Sequence, residues 1–176
     1  MLPADQAGYI EAVDGFLTSL TQASHQPPGS PYRAGSDIRF EAGGNASEYI
    51  RQGWSVPEFW GCWTSGFRAE MRIPLEHPFE NAALLAVEAV AYVRTWHPML
   101  KVRVVCNREP LGGWAIDSRD SVERILPIPA TALAGRRELV LLFYLENPAS
   151  PADSGEFGLD QRLLGLGLQK LRIRAA

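Results

Sequence analysis

From Ile38 onward the apolar residues come in short runs, many alternating with polar ones and separated by Gly, Pro, Asn or Asp. That texture predicts strands. The runs fall at 38–41, 49–54, 66–74, 82–93, 100–106, 115–116, 122–127, 138–145 and 163–173. In "FRAEMRIPL" the residues Phe67, Ala69, Met71 and Ile73 share one face, and Arg68, Glu70 and Arg72 the other, as in a strand buried on one side. "KVRVVCN" repeats this with Val102 and Val104 set against Lys101 and Arg103. "ELVLLFYL" is apolar throughout, which predicts burial on both faces. "ALLAVEAVAYV" is rich in helix formers, yet its length matches the neighbouring strands, and it is read as a strand. "CNREPLGGW" reads as a hairpin in which Asn107 and the Gly112-Gly113 pair supply positive φ.

Eight or nine strands with no helical stretch between them predict an all-β fold, an antiparallel β-sandwich of jelly-roll type, because parallel βαβ units need crossover helices. Ahead of it, residues 4–20 place Tyr9, Ile10, Val13, Phe16, Leu17 and Leu20 near helical spacing, and residues 21–37 are rich in Pro, Gly and Ser. The expected organisation is a short helix and extended arm over 1–35, followed by a sandwich over 36–176.

With 176 residues, 46% of them hydrophobic and 21% charged, the chain fits one globular domain with a substantial core. A net charge of −3 offers no positive field to hold a phosphate backbone, so nucleic acid is not an expected partner. The longest apolar stretch, 82–93, contains Glu88 and is too short to span a membrane. The N-terminus shows neither a basic start nor an apolar h-region, which predicts a cytoplasmic location. Cys62 and Cys106 read as reduced structural thiols. His25, His77 and His97 are far apart, so no metal site is expected, and His97 reads as a loop residue. "GLGLQKL" lacks the context and third glycine of a dinucleotide fingerprint, and no cofactor is expected.

The candidate chemistry lies in two stretches. "GWSVPEFWGCWTSG" holds three of the five tryptophans, and its glycines with Pro57 rule out a regular helix or uninterrupted strand, so it reads as a folded loop. Trp54 reads as structural. Trp60 and Trp63 either anchor the loop in the core or stack on the C–H face of a sugar ring. Glu58, set among aromatics, needs a cationic partner if buried. Near the C-terminus, Asp160 and Arg162 lie on one side of an extended chain, and Arg162 is placed to clamp Glu58 or Asp160 in bidentate fashion. That group is either a structural clasp or a ligand-contacting set. Glu58 with Asp160 also has the residue types of a glycosidase acid–base pair, though nothing in the spacing demands it.

Together, "GWSVPEFWGCWTSGFRAEMRIPL" and "ASPADSGEFGLDQRLLGLGLQKLRI" resemble a β-sandwich accessory domain of bacterial cell-surface polysaccharide systems. Gly53, Trp54, Ser55, Pro57, Glu58, Trp60, Gly61, Trp63, Thr64 and Gly66 fit its first motif. Ser150, Pro151, Gly155, Asp160, Arg162, Leu164, Gly165 and Gly167 fit its second. One departure is Arg108, where such domains often carry the glycine of an Asn-Gly hairpin. The resemblance covers residues 36–173. It implies a non-catalytic carbohydrate-binding module, found attached to glycosyltransferases, to phosphoglycerol transferases and to other envelope-glycan enzymes. On that reading Trp60 and Trp63 stack on sugar rings of a bacterial polysaccharide while Glu58, Asp160 and Arg162 hydrogen-bond to hydroxyls. The alternatives are a scaffold module that docks a glycosyltransferase partner or forms a homo-oligomer, and a glycan-processing enzyme.

Overall fold

The computed structural model describes residues 29–155 and 159–176, and the helix expected over 4–20 lies outside the described residues. Among the described residues nine antiparallel strands form two sheets: β1 (Asp37–Arg39), β2 (Cys62–Ser65), β3 (Arg68–Pro74), β4 (Ala83–Ala91), β5 (Leu100–Cys106), β6 (Glu109–Ile116), β7 (Val122–Ile128), β8 (Glu138–Leu145) and β9 (Leu164–Ala175). One sheet runs β1-β9-β4-β7, with β2 also paired to β9, and the other runs β3-β8-β5-β6. The antiparallel partners are nested, β2 with β9, β3 with β8, β4 with β7 and β5 with β6. That nesting is the rolled-up hairpin of a jelly roll, and the fold is a jelly-roll β-sandwich. A one-turn helix, α1 (Ala130–Leu133), joins β7 to β8.

The core lies between the sheets and follows from period-two burial. β4 alternates without exception, turning Ala83, Leu85, Val87, Ala89 and Ala91 inward, so its helix-forming composition is overridden by its central place between β9 and β7. Facing it from the other sheet are Ala69, Met71 and Ile73 of β3, Val102 and Val104 of β5, and Leu139, Leu141 and Phe143 of β8. Cys62 and Cys106 are buried free thiols, and burial pushes them up to about 11 and about 12 respectively, so both stay protonated at neutral pH.

Several expectations are corrected. Residues 49–54 form no regular strand: a 3-10 turn at Ala46–Glu48 is followed by isolated bridges Ile50–Met71 and Trp54–Thr64, because Gly53 at φ 79° breaks the extended path. The tryptophan run is more than a loop, since its last residues are β2. β6 begins at Glu109 rather than 115, because Asn107 (φ 49°) and Arg108 (φ 75°) make the reversal and set its register on β5. Gly112 takes positive φ as expected, but Gly113 does not. Phe67 precedes β3 and is 60% exposed instead of joining the buried face. β8 is buried on one face only: Val140, Leu142 and Tyr144 point outward and are half-buried.

The folded body takes in part of the arm. Tyr32 is buried, its hydroxyl donating to the Ser36 carbonyl at 2.6 Å and accepting from the Ile173 amide at 2.8 Å. Gly35 N also donates to Ile173 O at 2.7 Å, which lays the chain ahead of β1 beside the end of β9.

Candidate functional site

The tryptophan run folds into an irregular hairpin. Ser55 N donates to Trp63 O at 2.8 Å, and Glu58 N to Gly61 O at 2.7 Å, so Phe59 and Trp60 occupy the tip of a tight turn. Phe59 projects outward and is 89% exposed, whereas Trp60 folds back over the sheet. Its indole meets that of Trp63 edge to face at 5.0 Å, and Trp63 meets Tyr92 in the same way at 6.1 Å. Both indoles press on β9 at Gly167. A Cβ there would lie 2.6 Å from Trp60 Cη2 and 2.9 Å from Trp63 Cε3, so the bare backbone is what admits them.

The second stretch is organised by Ser150. Its hydroxyl donates to the Asp160 carbonyl at 2.9 Å and its Oγ accepts from Ala152 N at 3.2 Å, while the Asp153 carboxylate accepts from Ser150 N at 3.4 Å. This capping box starts the 3-10 turn Pro151–Ser154 and brings the chain back to Asp160. The Asp160 carboxylate then accepts from Arg162 Nη2 at 2.6 Å and from Nε at 2.9 Å and 3.1 Å, a fork-like clamp.

These two stretches meet. Arg162 Nη1 lies 3.9 Å from Glu58 Oε1, and the other Glu58 oxygen accepts from Trp60 Nε1 at 2.9 Å. All five sequence-derived residues thus form one string from Asp160 through Arg162, Glu58 and Trp60 to Trp63. The Arg162 and Glu58 side chains are 43% and 38% exposed, so that long ion pair adds at most about 1 kcal/mol. The hairpin is held mainly by backbone pairing, including β2 on β9 and Gly66 N to Leu163 O at 2.8 Å. Arg162 therefore positions polar groups more than it fastens the loop.

Hydrogen bonds from Arg162 hold the Asp160 carboxyl below the usual carboxylate range, partly offset by burial. A depressed value means the stabilisation is present above the ordinary carboxylate pKa and is lost as pH falls through the folded-state value. An NMR titration of Asp160 is expected to give a midpoint below that of an unperturbed aspartate, moving up in Arg162→Ala. An ordinary midpoint in the wild type would show that the clamp does not form in solution. The depression is the opposite of what a general acid requires, so it does not suit Asp160 to the proton-donating role.

Sequence reasoning missed Phe59. Among the described residues it is the most exposed aromatic ring; Val56 (80% exposed) lies in the same hairpin, and Leu159 (96% exposed) precedes Asp160. The only available signal was its place at the centre of the P-E-F-W-G turn. Among the described residues no three His, Cys, Asp or Glu side chains are placed to hold a metal ion, and no helix is long and apolar enough to cross a membrane.

Strand order and nesting define a jelly-roll β-sandwich domain. Residues 28–175 match the family described as "Domain of unknown function (DUF7024)", and the chain belongs to that family. No curated protein matches it. Among solved structures, a family GH115 4-O-methyl-α-glucuronidase with specificity for decorated arabinogalactans superposes with a TM-score of 0.52 at 10% identity, over 87% of this chain and 19% of that one. The CBM36-1 domain of a multidomain xylanase from the hindgut metagenome of Trinervitermes trinervoides gives 0.47 at 12% identity, over 80% and 97%. A carbohydrate-binding module CBM36 in complex with calcium and xylotriose gives 0.48 at 8% identity, over 78% and 98%. At such identities the likeness concerns the fold.

Proposed function

We propose that this domain is a non-catalytic, glycan-recognising accessory module of bacterial surface-polysaccharide biosynthesis or modification, working beside a glycosyltransferase. One observation carries the reading: the same hairpin turn that carries an almost fully exposed Phe59 also carries Glu58, joined to Arg162 and Asp160 in a half-exposed string, and Trp60, paired with Trp63. An apolar ring face next to preoriented donors and acceptors is what a pyranose requires, because one face of the sugar is C–H and its rim is hydroxyl. The Trp60 N–H is already bonded to Glu58, so that indole contributes apolar surface, not a free donor. Each hydroxyl exchanges water for protein partners, so affinity is on the order of micromolar to millimolar. The motif resemblance and the sandwich fold of carbohydrate-binding modules agree with this reading.

A second reading rests on Val56, Phe59 and Leu159, whose exposure also suits docking of a partner protein or a second copy. One titration separates the two. On a panel of bacterial polysaccharides followed by indole NMR shifts, saturable changes at Trp60 and Trp63 are expected, weakened at least about tenfold by Phe59→Ala or Arg162→Ala. Silence across the panel, together with concentration-dependent self-association that Phe59→Ala abolishes, would sink the glycan reading and leave the docking one.

A further inference from the structure

On the outer face of the β3-β8-β5-β6 sheet an open cavity of about 470 Å³ is lined by Arg68, Arg72, Arg108 and Arg136, with Glu70 as the one lining carboxylate among the described residues. Its floor is Val140 and Leu142, the outward residues of β8. Four guanidiniums stand against Glu70 in the lining and Glu138 beside Arg72, a local positive excess in a chain of net charge −3. We propose that this cavity is an oxyanion-binding site, taking a phosphate or carboxylate group between the guanidiniums of Arg108 and Arg136.

Three observations converge on it. Glu70, only 7% exposed, accepts from Arg68 at 2.7 Å and from Arg72 at 2.9 Å, and Arg72 lies 3.5 Å from Glu138. Those two arginines are thereby fixed in place and balanced by Glu70 and Glu138, so the excess positive charge rests with Arg108 and Arg136. Burial alone would raise the Glu70 carboxyl, but the hydrogen bonds from Arg72 and Arg68 outweigh it and hold the group down, so it stays ionised and keeps both partners oriented. By contrast, the side chains of Arg108 and Arg136 make no hydrogen bond or ion pair among the described residues.

The backbone supplies the second observation. Arg108 sits at φ 75°, in the left-handed region where the second residue of a tight hairpin turn is ordinarily glycine. A residue kept there against its conformational preference points to use of its side chain. The third is how Asn107 sets the corner. Its Oδ1 accepts from Val140 N at 2.9 Å and its Nδ2 donates to Ala132 O at 2.8 Å, which ties the turn to β8 and to α1. Arg136 follows α1, its amide bonded to Leu133 O at 3.0 Å. Two forks without partners among the described residues, a fixed pair beside them and an apolar floor suit an oxyanion attached to a small organic body, since planar guanidinium donors match carboxylate and phosphate oxygens.

The test uses the full chain at constant ionic strength, with sodium phosphate, sodium glucuronate and neutral glucose as probes in separate NMR titrations. Saturable binding of at least one anion is expected, with glucose inactive. Phosphate alone would assign a tetrahedral group and glucuronate alone a carboxylate. Arg108→Gly combined with Arg136→Ala is expected to weaken binding at least about tenfold, while Arg174→Ala on the other sheet leaves it unchanged. Because glycine relieves the positive φ, Arg108→Gly alone is expected to keep or raise the Tm while weakening the anion, an outcome that a purely structural arginine would not give. Absence of saturable binding by either anion, or equal binding by the double variant, would overturn the site. Neither result depends on the polysaccharide panel, so this proposal and the tryptophan-hairpin reading fail separately.

Discussion

Gly53→Ala is expected to destabilise the domain by about 3 kcal/mol, through a strained backbone and steric overlap acting together. Gly53 has φ 79°, and a Cβ there would collide with the Arg68 carbonyl oxygen and lie 2.8 Å from Ala69 Cα. Neither contact can relax cheaply, because both belong to the backbone at the start of β3. The residues around it are tied down: Glu70 N donates to Gln52 O at 2.9 Å and Ser65 N to Gly53 O at 2.8 Å. A methyl group would therefore push the whole tryptophan hairpin off β3 and disturb Glu58 and Phe59 with it. Denaturant unfolding read by far-UV circular dichroism measures the loss. A midpoint equal to that of the wild type would mean that the hairpin does not cross β3 at this distance.

Trp54→Ala carries the second large effect, about 3 kcal/mol or more, as expected when a large aromatic anchor is truncated to alanine. Trp54 packs at 5.4 Å from Phe40 and edge to face at 6.1 Å from Phe143, so it spans material from both sheets. Its Nε1 donates to Glu70 O at 2.9 Å, a bond that alanine leaves unmade. Trp60, at the outer surface, is expected to lose less stability when truncated and more glycan binding. Equal stability losses for Trp54→Ala and Trp60→Ala would contradict this division of labour between the indoles.

How much of this was readable in the chain depends on where each side chain's environment comes from. The faces of β3 and β5 were legible from Ala69, Met71 and Ile73, and from Val102 and Val104, because one buried face imposes a period of two on the sequence. The reading of β8 as doubly buried went astray at Val140 and Leu142. These outward residues are covered in part by arginines from β3 and the β5–β6 turn, and no local pattern reports on side chains that arrive from elsewhere in the chain. β2 was missed because four residues among turn formers carry little periodicity. What makes them a strand is non-local pairing, including the Leu166 amide on Thr64 Oγ1 at 2.9 Å, across 102 positions. β6 was shortened because Pro110, Gly112 and Gly113 are poor strand formers, yet the Asn107-Arg108 reversal imposes the register on them.

The Asp160–Arg162 clamp was legible, since two residues apart on an extended chain are neighbours whatever the tertiary fold. Its meeting with Glu58 followed from the same reasoning only as one of two options, and the geometry gives Asp160 the fork and Glu58 the longer contact. Which aromatic faces solvent was not legible. That choice between Phe59 and Trp60 is made by the turn from Glu58 to Gly61 and by the bare backbone of Gly167, two features more than a hundred residues apart.

The antiparallel pairing of β1 with the far end of β9, Asp37 opposite Arg172 and Arg39 opposite Lys170, has a mechanical meaning. Tension applied between residue 37 and residue 175 pulls across the strands, so the cross-strand bonds part singly, like a zip, instead of sharing the load as they would in shear. A domain strung in this way within a larger assembly would yield first at that seam, shedding β1 while β3, β8, β5 and β6 remain joined.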